Sequence, residues 1–242
     1  MVVYNFNLNK ESNSNLQPMT LTATHIAENL AHIRAEITVA CQRAERDPET
    51  VTLVGVSKTR SAALVLEAAA AGITDFGENR VEEAGEKIPQ VNTRLPADQP
   101  PIWHLIGHVQ SRKVKDLFVG GQPLFDLIHS VDSVKLASKL SRIAEENHIT
   151  MDVLLQMNVS GEASKEGFDA AGWGDDPAIR ARLWQDFSTI RAMPGLQVSG
   201  LMTIAPIVTD LEQVRPVFRQ LRTLRDALSE SFGAVLIELS MG

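Results

Sequence analysis

The chain has a single cysteine, Cys41, in 242 residues. A lone thiol closes no disulfide within the chain and builds no metal–thiolate set, which suits a reducing cytosol and makes cysteine chemistry a poor prospect. Long apolar runs are missing too: none approaches the roughly 20 residues that span a bilayer. Residues 1–17 are polar and rich in Asn and Ser. They lack the basic start and apolar centre of a secretory signal, so residues 1–20 are expected to form a disordered polar extension. Positive charge is scarce, with 23 Lys and Arg against 30 Asp and Glu and a net charge of −7. That balance disfavours a general nucleic-acid binder, which works by neutralising phosphates. The one basic cluster, Arg112, Lys113 and Lys115, reads as a solvated face. Neither G-x-G-x-x-G nor G-x-x-x-x-G-K-[ST] occurs, so the phosphate cradles of Rossmann and P-loop proteins are absent.

What is present is a rhythm. Residues 51–58, VTLVGVSK, form a short run dense in β-branched residues, the pattern of a strand buried on both faces. Ahead of it, Ile26, Leu30, Ile33, Ile37 and Cys41 recur at helical spacing over residues 24–46. Behind it, residues 62–71 are strong helix formers stopped by Gly72, and a second strand follows at 73–76. The alternation continues with strands at 102–106, 124–129, 151–159, 198–204 and 234–239. Between them lie helices, one capped by Asp132 with Leu136, Leu140, Ile143 and Ala144 on its apolar face, another opened by Asp176-Pro177. Seven strands alternating with helices predict a parallel α/β sheet, and the even period over a length near the typical 250 residues favours a TIM-like (β/α)8 barrel with seven of its eight strands present.

In such folds ligands gather at the carboxyl ends of the strands. Lys58 ends the first of these strands. A lysine there is either a solvated side chain opening the next helix or, if partly buried, an amine able to form an imine with a carbonyl compound. Glu78-Asn79 after the next strand can bind a ligand or cap a helix. His104 and His108 have the i, i+4 spacing of a helical metal pair, but Gly107 and the strand before it break the helix, so no metal site is expected. Residues 158–161 can form an anion-binding nest or an ordinary loop. Met202 reads as core. In barrels phosphate commonly docks at the loops after strands seven and eight, here the stretch beginning at Ser240-Met241-Gly242.

Seven segments together give the chain a family resemblance: VGVSKTR (54–60), FGENRVEEA (76–84), WHLIGHVQSRKVK (103–115), IHSVDS (128–133), VLLQMNVSGEASKEG (153–167), GLMTIAP (200–206) and LSMG (239–242). The pattern, from about residue 26 onward, closely resembles the pyridoxal phosphate homeostasis protein family, which is similar to the isolated N-terminal barrel of alanine racemase. The resemblance implies a protein that binds pyridoxal 5′-phosphate (PLP), with Lys58 as the Schiff-base lysine, Asn79 near the pyridine ring, Met202 walling the pocket, and Ser240 with Gly242 starting the phosphate cup. It implies a cytoplasmic carrier or buffer of PLP that hands the cofactor to PLP-dependent apoenzymes or meets a regulatory protein. The alternative is a PLP-dependent racemase or decarboxylase-like enzyme; a two-base racemase of this fold uses a tyrosine opposite the lysine, and the only tyrosine here is Tyr4. Three features depart from the family: the extension before Met19, a longer linker at 168–176, and the end at Gly242, where members continue into a helix and a strand carrying Arg-Ile-Gly. On that reading residues 21–242 are a C-terminally incomplete barrel with two unpaired edges and poor PLP binding.

Overall fold

Eight parallel strands close into a ring in the computed structural model, which describes residues 2–5, 23–162, 165–206 and 208–241. They are β1 (Val2–Asn5), β2 (Leu53–Val56), β3 (Asp75–Glu78), β4 (Ile102–Leu105), β5 (Leu127–Val131), β6 (Met151–Asn158), β7 (Leu196–Thr203) and β8 (Glu238–Met241). Each of β2 to β7 pairs with the next, β8 pairs with β7, and β1 lies between β8 and β2. Around the ring stand α1 (Ala23–Arg43), α2 (Ala62–Ala70), α3 (Val81–Asn92), α4 (Val134–Glu146), α5 (Pro177–Arg191) and α6 (Arg215–Phe232). The barrel and all seven strands read from the sequence are therefore present.

The N-terminal stretch differs from expectation. Val2–Asn5 is a strand, in register from Val2 opposite Leu53 to Asn5 opposite Val56, and Val2 also pairs with Met241. The two edges expected to be bare are thus both covered. Val-Val-Tyr is a strand-favouring triplet whose signal disappears in the polar average of the first seventeen residues, and open edges present unpaired N–H and C=O groups that such a segment satisfies. The rest of the expected extension, residues 6–20, lies outside the described residues.

Two strand positions also shift. Ile73 donates its N–H back to the Ala68 carbonyl at the end of α2, so β3 starts at Asp75. Val235 and Ile237 are 74% and 72% exposed, and the ladder with β7 begins only at Glu238. At α4 the cap is Ser133, whose hydroxyl accepts from Leu136 N–H, which leaves Asp132 for another contact.

Strand side chains such as Phe76, Trp103, Leu105, Val153, Leu155 and Leu201 belong to the main apolar core. A separate buried cluster consists of Leu127, Leu154 and Met202. Asp75, His104, His129 and Ser240 are buried as well, and buried polar groups of this kind require partners.

Candidate functional site

Lys58 follows β2 by two residues and Asn79 follows β3 by one. Val56 is in register with Gly77, and Ser57 N–H extends that ladder by donating to the Gly77 carbonyl at 2.9 Å, so the two residues stand side by side at the carboxyl-end rim. Lys58 is half-buried, and its amine has no hydrogen-bond or ion-pair partner among the described residues. Asn79 does not cap α3, whose N-cap is Arg80; its Oδ1 is buried and has no hydrogen-bond partner among the described residues. A buried acceptor left unpaired costs about 1–3 kcal/mol, so a ligand bringing an N–H or O–H recovers that cost. Gly107 fits against this corner because it has no side chain: a Cβ there would sit 2.2 Å from the Asn79 carbonyl oxygen.

A charged network that the sequence reading did not single out lies beneath the Lys58 turn. Lys87 on α3 donates to Glu78 Oε1 at 2.6 Å, Glu83 Oε1 at 2.7 Å and the Ser57 carbonyl at 2.7 Å. Glu78 Oε1 also accepts from the Ser57 hydroxyl at 2.7 Å, and Glu83 Oε1 accepts from Thr59 N–H at 2.5 Å. Glu78 is fully buried; burial raises its pKa, and its bonds from Lys87 and Ser57 only partly oppose this. Burial pushes Glu83 the same way, but Lys87 and the Thr59 N–H outweigh it and hold that carboxyl below its ordinary value. The available signal was Lys87 itself, a cation on the same stripe as Ala84, Ile88 and Val91 with Glu83 four residues before it.

The histidine pair separates. His104 lies inside the barrel, with Nε2 3.0 Å from Asp75 Oδ1 and Nδ1 2.9 Å from His129 Nε2, and His129 Nδ1 is 2.8 Å from the Ser240 hydroxyl. Burial, reinforced by the charge of His104, holds the His129 pKa well below its ordinary value. Which ring nitrogen donates in each of these contacts depends on the tautomers of the two histidines. The Ser240 hydroxyl thus faces inward, and Gly242 lies outside the described residues. His108 is instead at the rim, 2.7 Å from Glu166 Oε2 and 3.2 Å from Asp132 Oδ2. In the 158–161 loop, Asn158 Oδ1 takes the Gly161 N–H at 3.0 Å, so that amide is already occupied. Beside the loop, Gln156, Asn158, Lys165, Glu166 and Ile204 line a cavity of about 220 Å³.

Comparison with known proteins matches residues 29–239 to the alanine racemase N-terminal domain family. The pyridoxal phosphate homeostasis protein of Pseudomonas aeruginosa is 40% identical over 199 residues, 82% of this chain and 78% of its own length. That of Aquifex aeolicus is 37% identical over 215 residues, 89% and 86% of the two chains. The chain belongs to the pyridoxal phosphate homeostasis protein family. Among solved structures, PipY of Synechococcus elongatus with PLP bound is 35% identical, with a TM-score of 0.71 and coverage of 90% of this chain and 88% of its own. Alanine racemase from Bacillus anthracis, at 14% identity and a TM-score of 0.61 over 91% of this chain and half of its own, shares the barrel alone. Within the family fold, Lys58 and Asn79 are brought together at the rim, whereas Met202 and Ser240, paired in register on β7 and β8, are buried within the barrel.

Proposed function

We propose that this chain binds PLP through Lys58 and acts as a carrier or buffer of the cofactor. The observation that carries the reading is that Lys58, whose amine has no hydrogen-bond or ion-pair partner among the described residues, and Asn79, whose buried Oδ1 is unsatisfied among them, follow the adjacent strands β2 and β3. These groups fit the cofactor: an amine for its aldehyde and an acceptor for a polar ring substituent. PLP supplies an aldehyde with which a neutral amine condenses, forming a carbon–nitrogen bond and releasing water. Solvent reaches the turn at the exposed Thr59. Asn79 orients the ring, and Met202 walls the pocket from within the barrel. Ser240, held against His129, and Gly242 are assigned to the phosphate cup by resemblance. Support comes also from the relatives' names and from PipY with PLP bound.

The reading includes no turnover and places the protein in the cytosol, with PLP-dependent apoenzymes as recipients. Among the described residues no helix is long and apolar enough to cross a membrane. The decisive experiment mixes the protein with PLP, reduces with borohydride and locates the modification by peptide mass spectrometry. Modification concentrated on Lys58 and lost in Lys58→Ala is expected; labelling spread over surface lysines refutes the assignment. Incubation of the PLP-loaded protein with L- or D-alanine and chiral analysis tests the enzyme alternative, which gains if conversion runs well above that of free PLP.

A further inference from the structure

We propose that Glu83 and Lys87 are positioning residues for Lys58, holding its turn in a conformation that the turn's own sequence resists. The proposal rests on the reading of Lys58 as the PLP-binding amine. Arg60 N–H donates to the Ser57 carbonyl at 3.0 Å, making residues 57–60 a β-turn with Lys58 and Thr59 at its centre. Thr59 has φ +61°. Positive φ at the third position of a turn is the place for glycine or asparagine, and a β-branched residue there is strained. Left to itself, the turn would relax and carry Lys58 with it.

The network opposes that relaxation on both sides of the lysine. Glu83 holds the Thr59 N–H on one flank, and Lys87 holds the Ser57 carbonyl on the other. Glu78 adds the Ser57 hydroxyl, and Lys87 ties the two carboxylates together. Among the described residues Lys58 itself makes no bond within the clamp, so its amine stays available. Glu83 and Lys87 both project from α3, which begins two residues after Asn79. One rigid helix thus fixes the lysine turn and follows directly from the asparagine, and pre-placing an amine against its electrophile is worth orders of magnitude in rate.

The test compares covalent capture of PLP at Lys58, read as borohydride-fixed mass against time, with affinity for pyridoxine 5′-phosphate, whose alcohol replaces the aldehyde and which reports only non-covalent binding. Glu83→Ala should slow capture by about tenfold or more while pyridoxine 5′-phosphate affinity stays within about twofold. Glu83→Gln, which keeps an acceptor for Thr59 N–H, should retain most of the rate. Thr59→Gly combined with Glu83→Ala should recover it, because glycine takes positive φ without strain. The proposal is overturned if Glu83→Ala captures as fast as the parent, if the double variant is as slow as the single one, or if both ligands weaken equally. Absence of Lys58 modification in the parent protein, by contrast, defeats the PLP reading itself, and this proposal with it.

Discussion

The Nδ1 atom of His129 lies 2.8 Å from the Ser240 hydroxyl, joining two strands 111 residues apart in the chain. The bond is one link of a chain running from Asp75 through His104 and His129 to Ser240. Its Asp75–His104 end opens on a cavity of about 510 Å³ at the amino-end mouth, where Asp126, Asp152 and Glu238 also face it.

The first prediction follows from the neutral state of His129. Its folded pKa is depressed by burial and by His104, whereas an unfolded histidine titrates near about 6.5. Below that pH the unfolded chain takes a proton that the folded one refuses. The contribution of His129 to stability is therefore full above about pH 6.5 and falls as pH drops, by up to about 1.4 kcal/mol per pH unit. Denaturant titrations between pH 5 and 8 should show this acid-side slope in the parent, reduced in His129→Phe whatever that variant's overall stability. Equal slopes in the two proteins would remove His129 as the source.

Lys87→Met should be strongly destabilising at neutral pH. It leaves Glu78, fully buried, and Glu83 without their shared cation, and breaking a buried ion pair from one side costs about 3–5 kcal/mol. The pH dependence has a definite sign. Glu78 already has a raised pKa, and losing Lys87 removes bonds that lower it, so the folded variant holds a proton more tightly than the unfolded chain. Its stability deficit should shrink as pH falls from 8 to 5, as measured by urea unfolding of variant and parent. A deficit that is constant or growing would mean Glu78 stays ionised.

Gly107→Ala should both destabilise and disturb the site. The added Cβ would lie 2.2 Å from the Asn79 carbonyl oxygen and 2.6 Å from its Cα, all backbone that has little room to give. Overpacking of this kind costs about 1–3 kcal/mol or more. Because the strain falls on Asn79, PLP affinity should drop together with the melting temperature. A variant that melts lower but binds PLP as the parent does would separate Asn79 from the cofactor.

The parts of this structure legible in the sequence were those set by local periodicity. β-branched runs such as 51–58 and the apolar stripe of α4 marked elements that the structure contains. The positions of Lys58 and Asn79 at strand ends were legible for the same reason. Hidden were contacts between residues far apart in the chain. Nothing local tells Lys87 to reach back 30 residues to the Ser57 carbonyl, or Ser240 to meet His129 across 111 residues of chain. Asp132 looked like a cap because it precedes a helix, yet Ser133 takes that role and Asp132 meets His108. The strand at Val2–Asn5 was obscured by the polar residues after it, and its place depends on edges made 50 to 240 residues later.

That strand supplies the last prediction. β1 is hydrogen-bonded on both sides, to β2 along its whole length and to β8 at Val2 opposite Met241. Removing residues 1–5 would therefore bare two edges at once, and exposed strand edges invite pairing with other chains. Each backbone bond contributes about 0.5–1.5 kcal/mol net, so loss of this ladder should lower stability by about 2–5 kcal/mol. For a chain of this size that is a fall of about 5–15 °C in melting temperature. Val3→Pro is the gentler version: proline is not tolerated within a central strand because it removes a ladder donor, and it should reproduce most of the fall with the chain length unchanged. Light scattering against concentration should show self-association in both variants and none in the parent. If both melt like the parent and remain dispersed, the strand is dispensable and β2 and β8 are stable as edges.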